Sequence, residues 1–311
     1  MTKEELLACH ERIKPYIHRT PVLQSSLLNK MAGAEVFFKC ENFQRMGAFK
    51  FRGAVNSIMQ LTDEQRAKGV VTHSSGNFAQ GLALSARSLG VKAHIVMPES
   101  APSVKIQAVR DYGGHITLCP STLQDREAAT QRIVDEIGAV LLHPSNAVDV
   151  ILGQGTACME LLEDHPDLDC VLAPIGGGGL MAGTALAAHF FGNNCKAVGG
   201  EPFAVDDAYR SLQSGRIETN ETTDTIADGL KTVLGDKTFP VLQQYLDRII
   251  RVEEEEIVAA MRVIWERMKV IIETSCAVPF AAVLREQEAF EGKKIGIILS
   301  GGNVDLSRLP F

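Results

Sequence analysis

Short apolar runs rich in β-branched residues alternate along the chain with longer segments whose apolar positions recur every three to four residues. The runs are Val70-Val71-Thr72, His94-Ile95-Val96-Met97, Val171-Leu172-Ala173, Ala197-Val198-Gly199 and Ile295-Gly296-Ile297-Ile298-Leu299. Near-continuous apolarity over such short stretches predicts strands covered on both faces, as in a parallel sheet. Between them Ala79 to Leu89, Val104 to Tyr112, Arg126 to Ile137 and Met181 to Phe190 carry helix-period stripes. Glu254 to Met268 and Pro279 to Glu288 add two more towards the end. The alternation predicts an α/β protein of open, mostly parallel twisted sheets, with ligands where strand ends meet helix starts. No internal repeat, low-complexity tract or Pro/Gly-rich linker divides the chain, so a second domain is expected as an insertion within the first.

Composition narrows the function. With 311 residues, 45% hydrophobic and 22% charged, the chain has the make-up of a folded protein with room for two modest domains. Acidic residues outnumber basic ones by 38 to 31 and the basic ones are scattered. No nucleic-acid footprint or anionic-membrane patch is predicted, which leaves small molecules as the expected partners. The apolar runs fall far short of the roughly 20 residues that span a bilayer, and the charged start lacks the apolar core of a signal peptide, so a cytoplasmic protein is expected. Seven dispersed cysteines (Cys9, Cys40, Cys119, Cys158, Cys170, Cys195, Cys276), with no closely spaced pair, predict reduced structural thiols.

Four segments carry candidate chemistry. Gly176-Gly177-Gly178-Gly179-Leu180 follows an apolar strand and opens a helical stripe, so its backbone N–H groups can converge on an anion such as phosphate. It matches neither the Lys-Ser/Thr phosphate loop nor the dinucleotide fingerprint, which disfavours a nucleotide oxidoreductase. A tight turn would need one or two glycines, not four. Lys50 lies between Phe49 and Phe51, where desolvation would lower its pKa towards a usable amine; a lysine lying along an amphipathic helix is the plainer alternative. His73-Ser74-Ser75-Gly76-Asn77 joins a strand to a helix and presents two hydroxyls and an amide, one of which a helix N-cap would explain. Ser300-Gly301-Gly302-Asn303 closes the last apolar strand in a similar way.

In this order, Gly47-Ala48-Phe49-Lys50-Phe51-Arg52-Gly53, Ser74-Ser75-Gly76-Asn77, the tetraglycine and Ser300-Gly301-Gly302-Asn303 resemble the fold type II pyridoxal-phosphate enzymes over nearly the whole chain. Within them the similarity is to the serine racemases and short serine/threonine dehydratases. Thr20-Pro21-Val22-Leu23, Thr225-Ile226-Ala227-Asp228-Gly229 and Trp265-Glu266-Arg267-Met268-Lys269 also read like those proteins. The implied fold is tryptophan-synthase-β-like. Residues 1–68 and 147–311 would form a large cofactor-binding domain, and 69–146 a small mobile domain closing over the cofactor.

The resemblance also implies roles. Lys50 would carry pyridoxal 5'-phosphate covalently and take the substrate's α-proton. Gly176, Gly177, Gly178, Gly179 and Leu180 would cradle the phosphate, Asn77 would meet the ring hydroxyl, and Ser300 the pyridine nitrogen. Ser75 would face Lys50 across the cofactor plane as the second acid/base, and Ser74, Ser75, Asn77 and Arg126 would bind the amino-acid substrate. Glu201, Val205 and Asp207 would hold a divalent cation, Mg²⁺ or Ca²⁺; without the family, Glu201 and Asp207 read as acids favoured at a helix N-terminus. Glu253 to Glu256 read as a solvated helix start, not a metal site. Ser25, Ser26, Gln80, Tyr112, Lys269 and Asn303 match positions that bind ATP as an activator at the dimer interface of some racemases, and a homodimer is implied. The implied activity is racemisation of L- and D-serine with elimination of serine to pyruvate and ammonia; the alternative is a dehydratase of L-serine, L-threonine or 3-hydroxyaspartate. The chain departs from the family pattern at Phe78, where histidine is usual, at Met46 and Ala48, where hydroxyl residues are usual, and at Thr274, where proline or glycine is usual.

Overall fold

The computed structural model describes residues 1–311. In chain order its strands are β1 (Val22–Leu23), β2 (Glu35–Cys40), β3 (Val70–Thr72), β4 (Ala93–Pro98), β5 (His115–Cys119), β6 (Val140–Leu141), β7 (Cys170–Pro174), β8 (Lys196–Pro202), β9 (Leu246–Val252) and β10 (Lys294–Leu299). Six form one sheet in the order β1-β2-β10-β7-β8-β9, parallel except for β1 at the edge. The other four form a parallel sheet in the order β5-β4-β3-β6. All four strands of the smaller sheet fall between β2 and β7 in sequence, so this unit is built by an insertion. Its core nonetheless reaches beyond the inserted segment and takes in Ala54, Ile58 and Val150 from flanking helices.

All five strands read from the apolar runs are present, and the stripes correspond to helices Asn77–Ser88, Ser103–Asp111, Leu123–Ile137, Gly179–Phe191 and Glu254–Met268. The last stripe differs: its helix spans Thr274–Arg285, beginning five residues before Pro279, which lies inside it. Two central elements have no amphipathic signature. Helix Val148–Asp164 is buried on every side from Val150 to Leu162, and β2 is buried from Val36 to Cys40. Glycines let the helices around it approach closely. A Cβ on Gly153 would lie 2.5 Å from Gly53 Cα and 2.7 Å from the Arg52 carbonyl, and one on Gly183 would lie 2.5 Å from the Ile151 carbonyl.

Behind the helix Lys50–Met59 lies a buried charge network. Arg52 donates to Glu41 through Nε (2.7 Å) and Nη2 (2.9 Å), and to Glu160 through Nη1 (2.9 Å) and Nη2 (2.8 Å). Lys39 Nζ donates to Glu160 at 2.7 Å, and His10 Nε2 lies 3.1 Å from the same carboxylate. Two cations thus face two carboxylates out of contact with solvent. Removing one partner of such a set costs about 3–5 kcal/mol because a buried charge is left uncompensated. The network therefore ties the helix that begins at Lys50 to helices Lys3–Ile13 and Val148–Asp164 in a single arrangement.

Candidate active site

The chemistry-bearing segments gather at the carboxyl ends of both sheets, where open α/β folds place their ligands. β10 runs into Ser300, β7 into the tetraglycine and β3 into Ser74 to Asn77. Residues Ser300 to Asn303 are stitched to the loop preceding Lys50. Phe49 N–H donates to the Ser300 carbonyl (3.0 Å), Ala48 and Gly301 form an antiparallel bridge, and Gly302 N–H donates to the Gly47 carbonyl (2.9 Å). Asn303 Nδ2 donates to the Met46 carbonyl at 2.9 Å. Gly47 has φ +77°, and a Cβ there would lie 2.8 Å from Asn303 Oδ1, so only glycine fits. Met46 adopts φ 55°, a strained backbone for a residue with a side chain.

Lys50 opens its helix with Nζ donating to the Pro144 carbonyl at 2.6 Å. The amine lies 5.1 Å from the ring centroid of Phe49 and 5.8 Å from that of Phe78. Burial lowers its pKa to about 8, with the Glu273 carboxylate acting in the opposite sense. Roughly a tenth is then the free amine at pH 7, far more than for an ordinary lysine, and with the bond to Pro144 this favours a site residue over a lysine lying along a solvated helix.

The tetraglycine is a cradle that side chains would fill. A Cβ on Gly176 would lie 2.9 Å from Leu230 Cα, Gly177 abuts the Ser145 hydroxyl, and a Cβ on Gly179 would lie 2.9 Å from the Ser145 carbonyl. Gly178, with φ +80°, is the N-cap of the thirteen-residue helix Gly179–Phe191. Unpaired first-turn N–H groups there suit a phosphate.

Asn77 opens the helix of the smaller unit and crosses to the larger. Its Nδ2 donates to both Glu273 oxygens, at 2.9 and 3.1 Å, and its Oδ1 accepts from Asn303 Nδ2 at 3.0 Å. Burial raises Glu273 to about 7, and Asp228 adds to the rise. Ser300 is buried with its hydroxyl beside the Cys276 thiol. The N-cap of helix Asn77–Ser88 is Gly76, with no side-chain cap, so neither Ser74 nor Ser75 is an architectural cap; Ser74 Oγ only accepts a 3.4 Å bond from Gly76 N–H. Both serines sit half-buried at the end of β3. Arg126 lies in the first turn of helix Leu123–Ile137, and its charge, together with burial, lowers His73 beside the serines. Glu273 and His143 were not among the residues singled out from sequence. Each draws its meaning from partners far along the chain, and only the histidine-proline step at 143–144 marks a turn locally.

The other predicted residues are placed as follows. Glu201 is fully buried and accepts the backbone N–H groups of Ala208 (3.0 Å) and Tyr209 (2.9 Å), the helix-terminus role read without the family. Asp207 accepts from Asn220 (2.7 Å) and Leu234 N–H (3.1 Å). Val205 lies buried between them in sequence. Burial raises Glu201 well above the carboxylate range, helped by Asp207, and raises Asp207 to about 6. Glu253 to Glu256 form a capping box at a helix start, as read. Ser25 and Lys269 cap the helices Ser26–Ala32 and Glu254–Met268, Ser26 begins the former, and Gln80 and Tyr112 belong to helices of the smaller unit. Of these six, Asn303 alone bonds into the Lys50 site.

Comparison with known proteins agrees with this geometry. Residues 13–301 match the family described as pyridoxal-phosphate dependent enzymes. Serine racemase of Dictyostelium discoideum is 47% identical over 99% of this chain and 97% of its own length. Its crystal structure superposes with a TM-score of 0.94 over 98% of this chain and 99% of that one. L-threo-3-hydroxyaspartate ammonia-lyase of Saccharomyces cerevisiae is 48% identical over 99% of this chain and 94% of its own. Beta-hydroxyaspartate dehydratase of Paracoccus denitrificans is 46% identical over 100% and 98%. A buried lysine of lowered pKa, a side-chain-free phosphate cradle and a serine at the end of the central strand fit pyridoxal phosphate, and the chain belongs to the fold type II family of pyridoxal-phosphate dependent enzymes.

Proposed function

We propose that the enzyme interconverts L- and D-serine and, at the same site, eliminates water from serine to release pyruvate and ammonia. One observation carries the reading: Lys50 and Ser75, the two groups suited to move a proton, come from different units of the molecule, and Ser75 is free of any capping duty. Bound pyridoxal phosphate supplies the electron-withdrawing ring that acidifies the substrate's α C–H bond. The residues do the rest. The tetraglycine would hold the phosphate, Asn77, fixed by Glu273 and Asn303, would lie near the ring, and Lys50, steadied by the Pro144 carbonyl, would take or return the α-proton from one side. Inversion needs a second proton carrier on the other side, which is the role of Ser75. Elimination needs only Lys50 and a protonated leaving hydroxyl. Closure of the smaller unit excludes water while the proton moves.

A second reading, a dehydratase of 3-hydroxyaspartate or of L-serine or L-threonine, is favoured by Arg126, whose charge beside His73 and the serines would suit a second substrate carboxylate. The names of the yeast and Paracoccus relatives accord with it. The test is incubation of the purified enzyme with L-serine, L-threonine or L-threo-3-hydroxyaspartate, followed by chiral analysis of the amino acid and quantification of the 2-oxo acid. D-serine together with pyruvate is expected; 2-oxo acid from any substrate with no D-serine would establish the dehydratase instead.

Three further attributes belong to this proposal. A Mg²⁺ or Ca²⁺ ion at Glu201, the Val205 carbonyl and Asp207 would relieve the repulsion between two buried carboxylates, and oxygen donors suit both ions. A homodimer would cover the exposed Leu27 and Met31, one turn apart on helix Ser26–Ala32, and the exposed Phe43 and Ile271, joined through the 3.1 Å bond from Asn42 Nδ2 to the Ile271 carbonyl. ATP as an activator would reach the site through Asn303 and Asn77, and the enzyme would work in the cytoplasm.

A further inference from the structure

The turn from His143 to Asn146 touches both Lys50 and the tetraglycine loop. Its Pro144 carbonyl accepts the Lys50 amine at 2.6 Å. Ser145 packs against Gly177 and Gly179 of the phosphate cradle. Asn146 anchors the far end, donating to Asp236 and accepting from Lys237 N–H, each at 2.8 Å. Proline has no N–H with which to brace the turn. The bracing comes from the ring of His143, whose Nδ1 accepts the backbone N–H groups of Ser145 (3.1 Å) and Asn146 (2.8 Å).

A nitrogen that accepts two N–H bonds carries no proton of its own, so a neutral His143 must hold its proton on Nε2. We propose that His143 is a positioning residue: as the neutral Nε2–H imidazole it holds the turn that orients Lys50 and seats the tetraglycine loop, so that one ring sets the spacing between the amine and the phosphate cradle. The groups around it keep it neutral. Burial, His73 in an edge-on contact at 6.3 Å and the Lys50 ammonium all push His143 down, to about 4, and Asp236 acts in the opposite sense. The inference rests on the cofactor family and not on which amino acid is the substrate.

Asparagine places a carbonyl oxygen where His143 Nδ1 now sits, whereas the amide of glutamine reaches only the Nε2 position and alanine supplies neither. The test is titration of the cofactor-free forms of wild type, His143→Asn, His143→Gln and His143→Ala with pyridoxal phosphate, alongside long-range ¹H–¹⁵N imidazole spectra of the wild-type holoenzyme. His143→Asn is expected to bind within about threefold of wild type, and the Gln and Ala variants about tenfold or more weaker, as loss of a pair of modest hydrogen bonds implies. The spectra are expected to show the proton on Nε2. Equal binding by the Asn and Gln variants, or a proton on Nδ1, would overturn the proposal, and the spectra decide it even if a variant fails to fold. Failure of racemisation with these results intact would count against the proposed function alone.

Discussion

Burial of an ammonium beside two phenyl rings disfavours its charged form more than one carboxylate restores it, so Lys50 titrates at about 8 rather than 10.5. The sign of the consequence is fixed. Below pH 8 both folded and unfolded chains carry this proton; between 8 and 10.5 the folded chain has lost it first, so this group's contribution to the stability of the cofactor-free protein rises with pH across that window. The same titration sets reactivity, because only the free amine adds to a carbonyl. The rate at which the cofactor-free enzyme takes up pyridoxal phosphate is expected to climb with pH and level off just above 8. Stopped-flow absorbance would measure it, and a rate still climbing towards 10.5 would mean an ordinary, solvated lysine. Lys50 was readable from sequence only in part: Phe49 does lie beside its amine, but the second ring there is Phe78, remote in sequence, whereas Phe51 faces Arg45. Glu273 and His143 were not, since their perturbation comes first from burial, which the fold creates, and then from Asp228 on the one and His73 and Lys50 on the other, all remote in sequence.

At the scale of elements, sequence pattern exposed most strands and helices but passed over two central ones that are buried on every side. The helices with one solvent face were legible as stripes. Helix Val148–Asp164 was not read as one, being buried around its whole circumference with Gln154, Thr156 and Glu160 among its buried residues, yet the helix bearing Lys50 packs directly on it. The stripe read from Pro279 to Glu288 missed the start of its helix, which begins at Thr274, where Ser275 Oγ accepts Gly229 N–H at 2.9 Å. The contact between these buried helices makes a specific prediction. In Gly153→Ala the new methyl would meet Gly53 Cα at 2.5 Å and the Arg52 carbonyl at 2.7 Å, both backbone atoms that cannot swing aside. Separation of the helices should cost about 1–3 kcal/mol and shift the turn that carries Lys50. Denaturant unfolding and cofactor titration should both weaken; unchanged values in both would show that the contact is slack.

Taken as a whole, the molecule divides its candidate catalytic groups between two sheets. The six-stranded sheet supplies the tetraglycine, Ser300 and, through the stitched loop, the position of Lys50; the four-stranded sheet supplies Ser75 and Asn77. Asn77 to Glu273 and Lys105 Nζ to Asp228, at 2.5 Å, cross from one unit to the other. The insertion that makes the smaller unit was legible from unbroken strand-helix alternation, whereas the sharing of its core with Ala54, Ile58 and Val150 was not, because those residues lie on helices continuous with the larger unit.

In the proposed mechanism this division would let a proton leave one side of a substrate and return on the other. The most direct test incubates wild type and Ser75→Ala with L-serine in heavy water, with chiral separation and mass analysis of the recovered serine. The account predicts that Ser75→Ala still places deuterium on the α-carbon of L-serine, through Lys50, while D-serine falls by about two orders of magnitude, as loss of a general acid/base implies. Undiminished D-serine formation by Ser75→Ala would contradict it.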